Sequence, residues 1–105
     1  MKIVGVAACT VGIAHTYIAQ EKLEGAAKKA GHEISMETQG TIGTENELSA
    51  EQIAEADIVI LATDVKLNNR ERFDGKRIIE VATDIAVKSP NKLVKKAEEV
   101  LAQKQ

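Results

Sequence analysis

The residues best suited to covalent chemistry lie in one short stretch, Cys9-Thr10-Val11-Gly12-Ile13-Ala14-His15-Thr16. Cys9 is the chain's single cysteine. It follows an apolar run, Lys2 to Ala8, and precedes a segment of helical periodicity. The first turn of a helix carries unpaired N–H groups and partial positive charge, which favours a thiolate in the loop before it. The thiolate is the nucleophilic form, and the same N–H groups are placed to receive phosphoryl oxygens once it attacks phosphorus. Gly12 lets the backbone curl around such a group. Electrostatic stabilisation and positioning supply most of what phosphoryl transfer requires. Beside the sulfur, His15 offers a donor or a positive charge, and Thr16 offers a hydroxyl. Thr10, Val11, Gly12, Ile13 and Ala14 complete the expected phosphate-binding loop. The bland alternative is an inert buried thiol, since cysteines often serve as small core residues. Taken alone, His15 is as often a surface residue at a helix start.

Two elements must hold that loop, and the rest of the chain repeats their alternation. Lys2 to Ala8 (KIVGVAA) has β-branched residues and no helical period, as a buried strand does. Its Gly5 and two alanines are thin enough to let a helix approach. From about Ala14 to Ala30, the positions Ala19, Leu23, Ala26, Ala27 and Ala30 recur at helical spacing, with Gly31 at the left-handed cap position. Glu33 to Glu37 alternates as a second strand, and Gln39 to Gly43 reads as a glycine-punctuated loop. Ser49 and Gln52 form a capping box for a short helix. Asp57 to Thr63 is the clearest strand. Asn68 to Gly75 is polar, with a helical turn around Phe73 closed by Asp74-Gly75. Arg77 to Val81 reads as a fourth strand, and Ser89-Pro90 opens a last helix to about Ala102 with Leu93, Val94, Ala97, Val100 and Leu101 on its buried side.

Strands alternating with helices imply right-handed crossovers. The expected fold is therefore α/β: a three-layer α/β/α, Rossmann-like or flavodoxin-like open sheet of four parallel strands in the order 2-1-3-4. That order reverses direction beside strand 1, and ligands bind at the carboxyl end of the sheet at such a point. Cys9 falls there. With 105 residues, the chain is expected to be one domain, 1–105.

Composition excludes several classes of function. The net charge of −2 leaves no footprint for nucleic acid, and an aromatic content of 2% leaves no stacking platforms for single strands. No apolar run is long enough for direct membrane insertion, and the amino terminus has no signal-peptide pattern. A lone cysteine forms no internal disulfide, so the cytoplasm is the expected compartment. Cys9, His15 and His32 provide no ligand set at metal-binding spacing, so no metal and no cofactor is expected.

The loop resembles the C-P-T-G-x-A-H-T signature of the fructose-type IIB components of the bacterial phosphoenolpyruvate-dependent sugar phosphotransferase system. Further likeness lies in Glu37-Thr38-Gln39-Gly40, Ile42-Gly43, Glu45-Asn46, Ala56-Asp57, Asp64 and Arg72-Phe73-Asp74-Gly75-Lys76. Together these run in order along nearly the whole chain. The resemblance implies that a phosphohistidine on a partner IIA domain donates to Cys9. Phosphocysteine then donates to a sugar, fructose first among candidates, bound by a membrane IIC component. It implies a cytoplasmic bacterial protein that associates with a membrane transporter. Two positions depart from the signature. Thr10 replaces Pro, which restores an N–H and loosens the loop. Val11 replaces Thr, which removes a hydroxyl that Thr10 offers next door.

The resemblance makes Thr38, Gln39 and Gly40 candidates for supporting the phosphate loop or meeting a partner, against a simple strand-ending turn. Asp64 faces the same point, where a carboxylate repels phosphate unless turned away, so a loop-orienting hydrogen bond is its expected role. Lys66, Arg70 and Arg72 form a basic cluster that is either solvated surface or a docking patch. The main rival function is a low-molecular-weight-type cysteine phosphatase with C-x5-R-[ST]. Here His15 replaces that Arg and removes the bidentate phosphate clamp. A flavin or redox module is the other rival. Redox chemistry lacks a resolving cysteine, and flavin binding lacks flanking aromatics.

Overall fold

The computed structural model describes residues 1–8, 13–40, 43–67 and 70–102, and of Ile13, Ala14, His15 and Gly40 only the backbone. In chain order the elements are β1 (Lys2–Ala8), α1 (Ile13–Lys29), β2 (Glu33–Gly40), β3 (Gly43–Glu45), α2 (Ala50–Glu55) and β4 (Ile58–Thr63). A 3-10 turn (Arg70–Phe73), β5 (Ile78–Val81), α3 (Thr83–Lys88) and α4 (Pro90–Ala102) follow. The sheet order is β3-β2-β1-β4-β5. β1 pairs in parallel with β2 on one side and β4 on the other, and β5 continues parallel beyond β4.

The α/β class and the expected parallel order are present, with one correction. The sheet has five strands and is mixed, because β3 returns antiparallel along the outer edge of β2. β2 runs on to Gly40, past the alternating EISME segment, and Gly40 pairs with Gly43. Gly43, which opens this short strand, and Asn46, which follows it, both adopt positive φ, at 107° and 54°. Glycine tolerates that region without a Cβ penalty, so the punctuation read as a loop is a tight reversal into an edge strand. A helix over Thr83–Lys88 is also absent from the expected elements. Its preceding residue, Ala82, makes no side-chain cap bond.

Two cores cover the two faces. Ile3, Ala7, Met36, Ile58, Ile60 and Ala62 pack under α1, α3 and α4, where Ala19, Leu23, Ala27, Ala86, Leu93 and Ala97 meet them. Val4, Val6, Ala8, Val59 and Leu61 pack on the other face against Leu48, Ile53, Leu67 and Phe73. β1 and β4 are thus covered on both sides, which is why they read as unbroken apolar runs. Gly5 is required by its neighbours in the sheet. A Cβ there would meet the Met36 sulfur at 2.5 Å and the Ile60 carbonyl oxygen at 2.9 Å.

Local signals end and start helices as their chemistry dictates. Gly31, at φ 86°, closes α1 in a full Schellman motif: His32 N–H donates to Ala27 O at 2.9 Å and Gly31 N–H to Lys28 O at 3.0 Å. Ala30, though in helical phase, is exposed. The Ser49 hydroxyl accepts from Gln52 N–H at 3.1 Å, and the Gln52 side chain accepts from Ser49 N–H at 2.8 Å, completing the capping box. Lys76 Nζ donates to the carbonyls of Ala54 and Ala56, at 2.8 and 3.0 Å, at the far end of the same helix.

Candidate functional site

Cys9, Thr10, Val11 and Gly12 lie outside the described residues, as do the side chains of Ile13, Ala14, His15 and Gly40. The elements on either side define the setting. β1 ends at Ala8, in the middle of the sheet, in register with Gln39 of β2 and Thr63 of β4. Asp64 N–H donates to Ala8 O at 3.0 Å, extending the ladder to the rim. The order turns outward in both directions from β1, so its carboxyl end is the switch point of the sheet.

On the α1 side of this rim stand Thr16 and Thr38. α1 starts at Ile13 and has no acidic residue in its first turn, so nothing there offsets the positive end of its dipole. Thr16 in that turn is 2% exposed, and its hydroxyl has no hydrogen-bond partner among the described residues. Thr38 is in register with Ala7, which lies in the core beneath α1, so it shares that face. It too is buried, and its hydroxyl has no partner among the described residues. Unsatisfied buried hydroxyls are uncommon and costly. Tyr17, next on α1, donates to Glu45 of β3 and ties the helix start to the edge strand.

The opposite side of the rim holds a buried ion pair. Glu37 is in register with Val6, and Gln39 with Ala8, on the face that packs against Phe73. Glu37 is 0% exposed. One carboxylate oxygen, Oε2, accepts from Arg72 Nη2 at 2.6 Å and from Gln39 Nε2 at 2.8 Å, and Oε1 accepts from Leu48 N–H at 3.0 Å. Burial alone pushes this carboxyl up. The bonds from Arg72, Gln39 and Leu48, with the Arg72 charge, outweigh burial and hold it below its ordinary value. Arg72 lies over the Phe73 ring, 4.7 Å from its centroid, and its Nε is buried with no acceptor among the described residues.

Asp64 faces α3. Its Oδ1 accepts from Thr83 N–H at 3.1 Å and its Oδ2 from the Thr83 hydroxyl at 2.5 Å, so it serves as the cap that Ala82 lacks. Of the basic cluster, Arg72 pairs with Glu37 and Arg70 with Glu80 at 3.0 Å, while Lys66 is exposed. The cluster is therefore not one patch. The Glu37–Arg72 pair is the feature that reading the chain missed: an alternating EISME segment places Glu37 on a face expected to be wet. Its only signal was an acidic and a basic residue, each inside a matching motif. Crevices also open at the amino end of the sheet, lined by Lys2, Glu33, Glu55 and Asp57, where Lys2 Nζ is already paired with Glu55 at 3.2 Å and the Lys2 backbone N–H donates to Asp57 Oδ2 at 2.8 Å.

Residues 4–103 match the family model described as the lactose/cellobiose-specific IIB subunit of the PTS system. The fructose-like EIIB component 2 of Escherichia coli K12 is 52% identical over 102 residues, covering 97% of this chain and 96% of that protein. A domain of the fructose-specific IIABC component of Borrelia burgdorferi is 48% identical with a TM-score of 0.89, covering 93% of each chain. The predicted fructose-specific IIB of Escherichia coli is 38% identical with a TM-score of 0.93, covering 99% of this chain and 92% of that one.

Proposed function

The chain belongs to the IIB family of the sugar phosphotransferase system, and from that membership we propose that Cys9 is its phosphoryl-accepting nucleophile. IIB components are phosphotransferases that work with IIA and IIC partners. In the reaction proposed here, the Cys9 thiolate attacks the phosphorus of a phosphohistidine on IIA. The S–P bond forms as the P–N bond breaks, and the electron pair leaves on the imidazole. A sugar hydroxyl, presented by the membrane IIC, then attacks the same phosphorus. The O–P bond forms, the S–P bond breaks, the hydroxyl proton is lost, and the thiolate is regenerated. Thr10, Val11, Gly12, Ile13 and Ala14 supply the loop that holds the phosphoryl oxygens, with His15 and Thr16 as donors and Thr38, Gln39 and Gly40 as support. The whole chain, 1–105, acts as one cytoplasmic domain, in keeping with the described residues, among which no helix is long and apolar enough to cross a membrane.

One observation carries this reading: the sole cysteine lies in sequence between the central strand's carboxyl end and a helix start that is free of acidic residues and holds a buried Thr16 hydroxyl with no partner among the described residues. A developing dianion is what such a place stabilises. Fructose is the sugar we propose, because the relatives near half identity are fructose-like or fructose-specific, although the family model carries a lactose/cellobiose description.

The test is intact mass after incubation with phosphoenolpyruvate, the general phosphotransferase proteins and a cognate IIA. A gain of one phosphoryl group is expected, and none in Cys9→Ser, whose hydroxyl is far less nucleophilic at neutral pH. Unchanged mass in the parent protein would overturn the proposal. Brisk catalytic release of nitrophenol from p-nitrophenyl phosphate would instead favour a phosphatase.

A further inference from the structure

We propose that Glu37 and Arg72 are positioning residues that tune the Cys9 thiol, with Glu37 holding the Arg72 charge in check at the rim. The inference rests on Cys9 being the phosphoryl acceptor and adds how strongly that sulfur is activated. Ala8, to which Cys9 is bonded, shares one core cluster with Phe73, and its neighbour Gln39 donates to the Glu37 carboxylate that Arg72 grips. The pair thus lies beneath the carboxyl end of β1, on the face opposite α1.

Three details go beyond what a structural brace needs. The guanidinium is held twice, by Glu37 and over the Phe73 ring, so its position is set. Its Nε nevertheless has no acceptor among the described residues, although it is buried. The Arg72 side chain keeps 18% exposure while that of Glu37 has 1%, so the positive member is the one nearer solvent. An arginine carries five donors, and a buried one left unspent is expensive unless an anion visits. Here the anion would be the thiolate or the phosphoryl group. A carrier must also let its phosphoryl group go. A neutralised arginine supports the anion without clamping it as a phosphatase arginine does.

The reporter is Cys9 alkylation by iodoacetamide, followed by intact mass from pH 6 to 10, which needs no partner protein because the chain has one cysteine. The variants are Glu37→Gln and Arg72→Gln, both checked for folding by circular dichroism. They break the same ion pair, so a purely structural brace would loosen the rim and move reactivity in the same direction in both. Electrostatic tuning moves them oppositely. Glu37→Gln frees the positive charge and is expected to lower the thiol pKa by about half a unit, and Arg72→Gln to raise it by a similar amount, so that rates near neutral pH differ about threefold from the parent each way. Among the described side chains the other ionisable groups at this edge include Glu45 on β3, Asp64 after β4 and the exposed Lys66; both variants leave these, and His15 in the first turn of α1, unchanged. Should one single variant fail to fold, the double variant, neutral at both positions, is expected to titrate like the parent. Parallel shifts in the singles, no shift in either, or a double variant far from the parent would overturn the inference. Opposite shifts in a protein that accepts no phosphoryl group would leave this inference standing and remove the carrier role. Full labelling with parallel shifts would do the reverse.

Discussion

At the scale of single residues, the most telling group is a carboxylate with no access to water. Glu37 is fully buried, yet its three hydrogen bonds and the Arg72 charge keep it ionised more readily than an ordinary glutamate. Its folded pKa is therefore below its unfolded one. The stabilisation is complete above the ordinary value of 4.5 and is lost as pH falls through the folded value. Urea unfolding is expected to show parent stability dropping between about pH 5 and pH 3 more steeply than that of Glu37→Gln. At pH 7 the variant is expected to be weaker by about 1–3 kcal/mol. Equal slopes in the two proteins would refute the assignment. The chemistry proposed for the Cys9 to Thr16 stretch was read from residue types alone, because a thiol followed by a glycine and a helix start is a combination suited to holding an anion. The pairing of Glu37 with Arg72 was not legible, since they are 35 positions apart and only the fold makes them one group.

Among the elements, α1 begins just after the proposed phosphate loop and carries a cost. Gly25 sits inside this 17-residue helix, is exposed, and a Cβ there would meet nothing within 4 Å. Glycine in a helix interior is about 1 kcal/mol worse than alanine, so Gly25→Ala is expected to raise the urea midpoint with about that gain and unchanged thiol reactivity. A loss of stability would mean that the helix there is not regular. Capping signals were readable one element at a time: Gly31, Ser49 with Gln52, and Pro90 all mark the boundaries observed. β3 and α3 were not, and for one shared reason. β3 exists because β2 offers it an edge, and α3 starts where Asp64, 19 positions earlier, caps Thr83.

Across the whole molecule, the central strands determine whether the rim exists at all. Ile60 of β4 is 0% exposed and packs in the core beneath α1, with its carbonyl oxygen close beside Gly5 of β1. Ile60→Ala removes buried volume that so tight a core cannot refill. The expected cost is about 2–5 kcal/mol, a large share of the roughly 5–15 kcal/mol typical of a domain. In a thermal melt this is expected to appear as a Tm lower by about 10 °C or more. A shift within the scatter of surface substitutions would show that the two-layer core is not the stabilising unit.

Pattern and composition alone determined the α/β class, the parallel order of the four longer strands, the helix boundaries at Gly31, Ser49 and Pro90, and the position of the first strand's carboxyl end at the switch point. Those follow from periodicity and capping, which act between near neighbours along the chain. Tertiary structure decided the mixed fifth strand, the Asp64–Thr83 cap and the burial of Glu37 against Arg72. Each of these is a contact between distant segments, and its energy exists only once the sheet has brought them together.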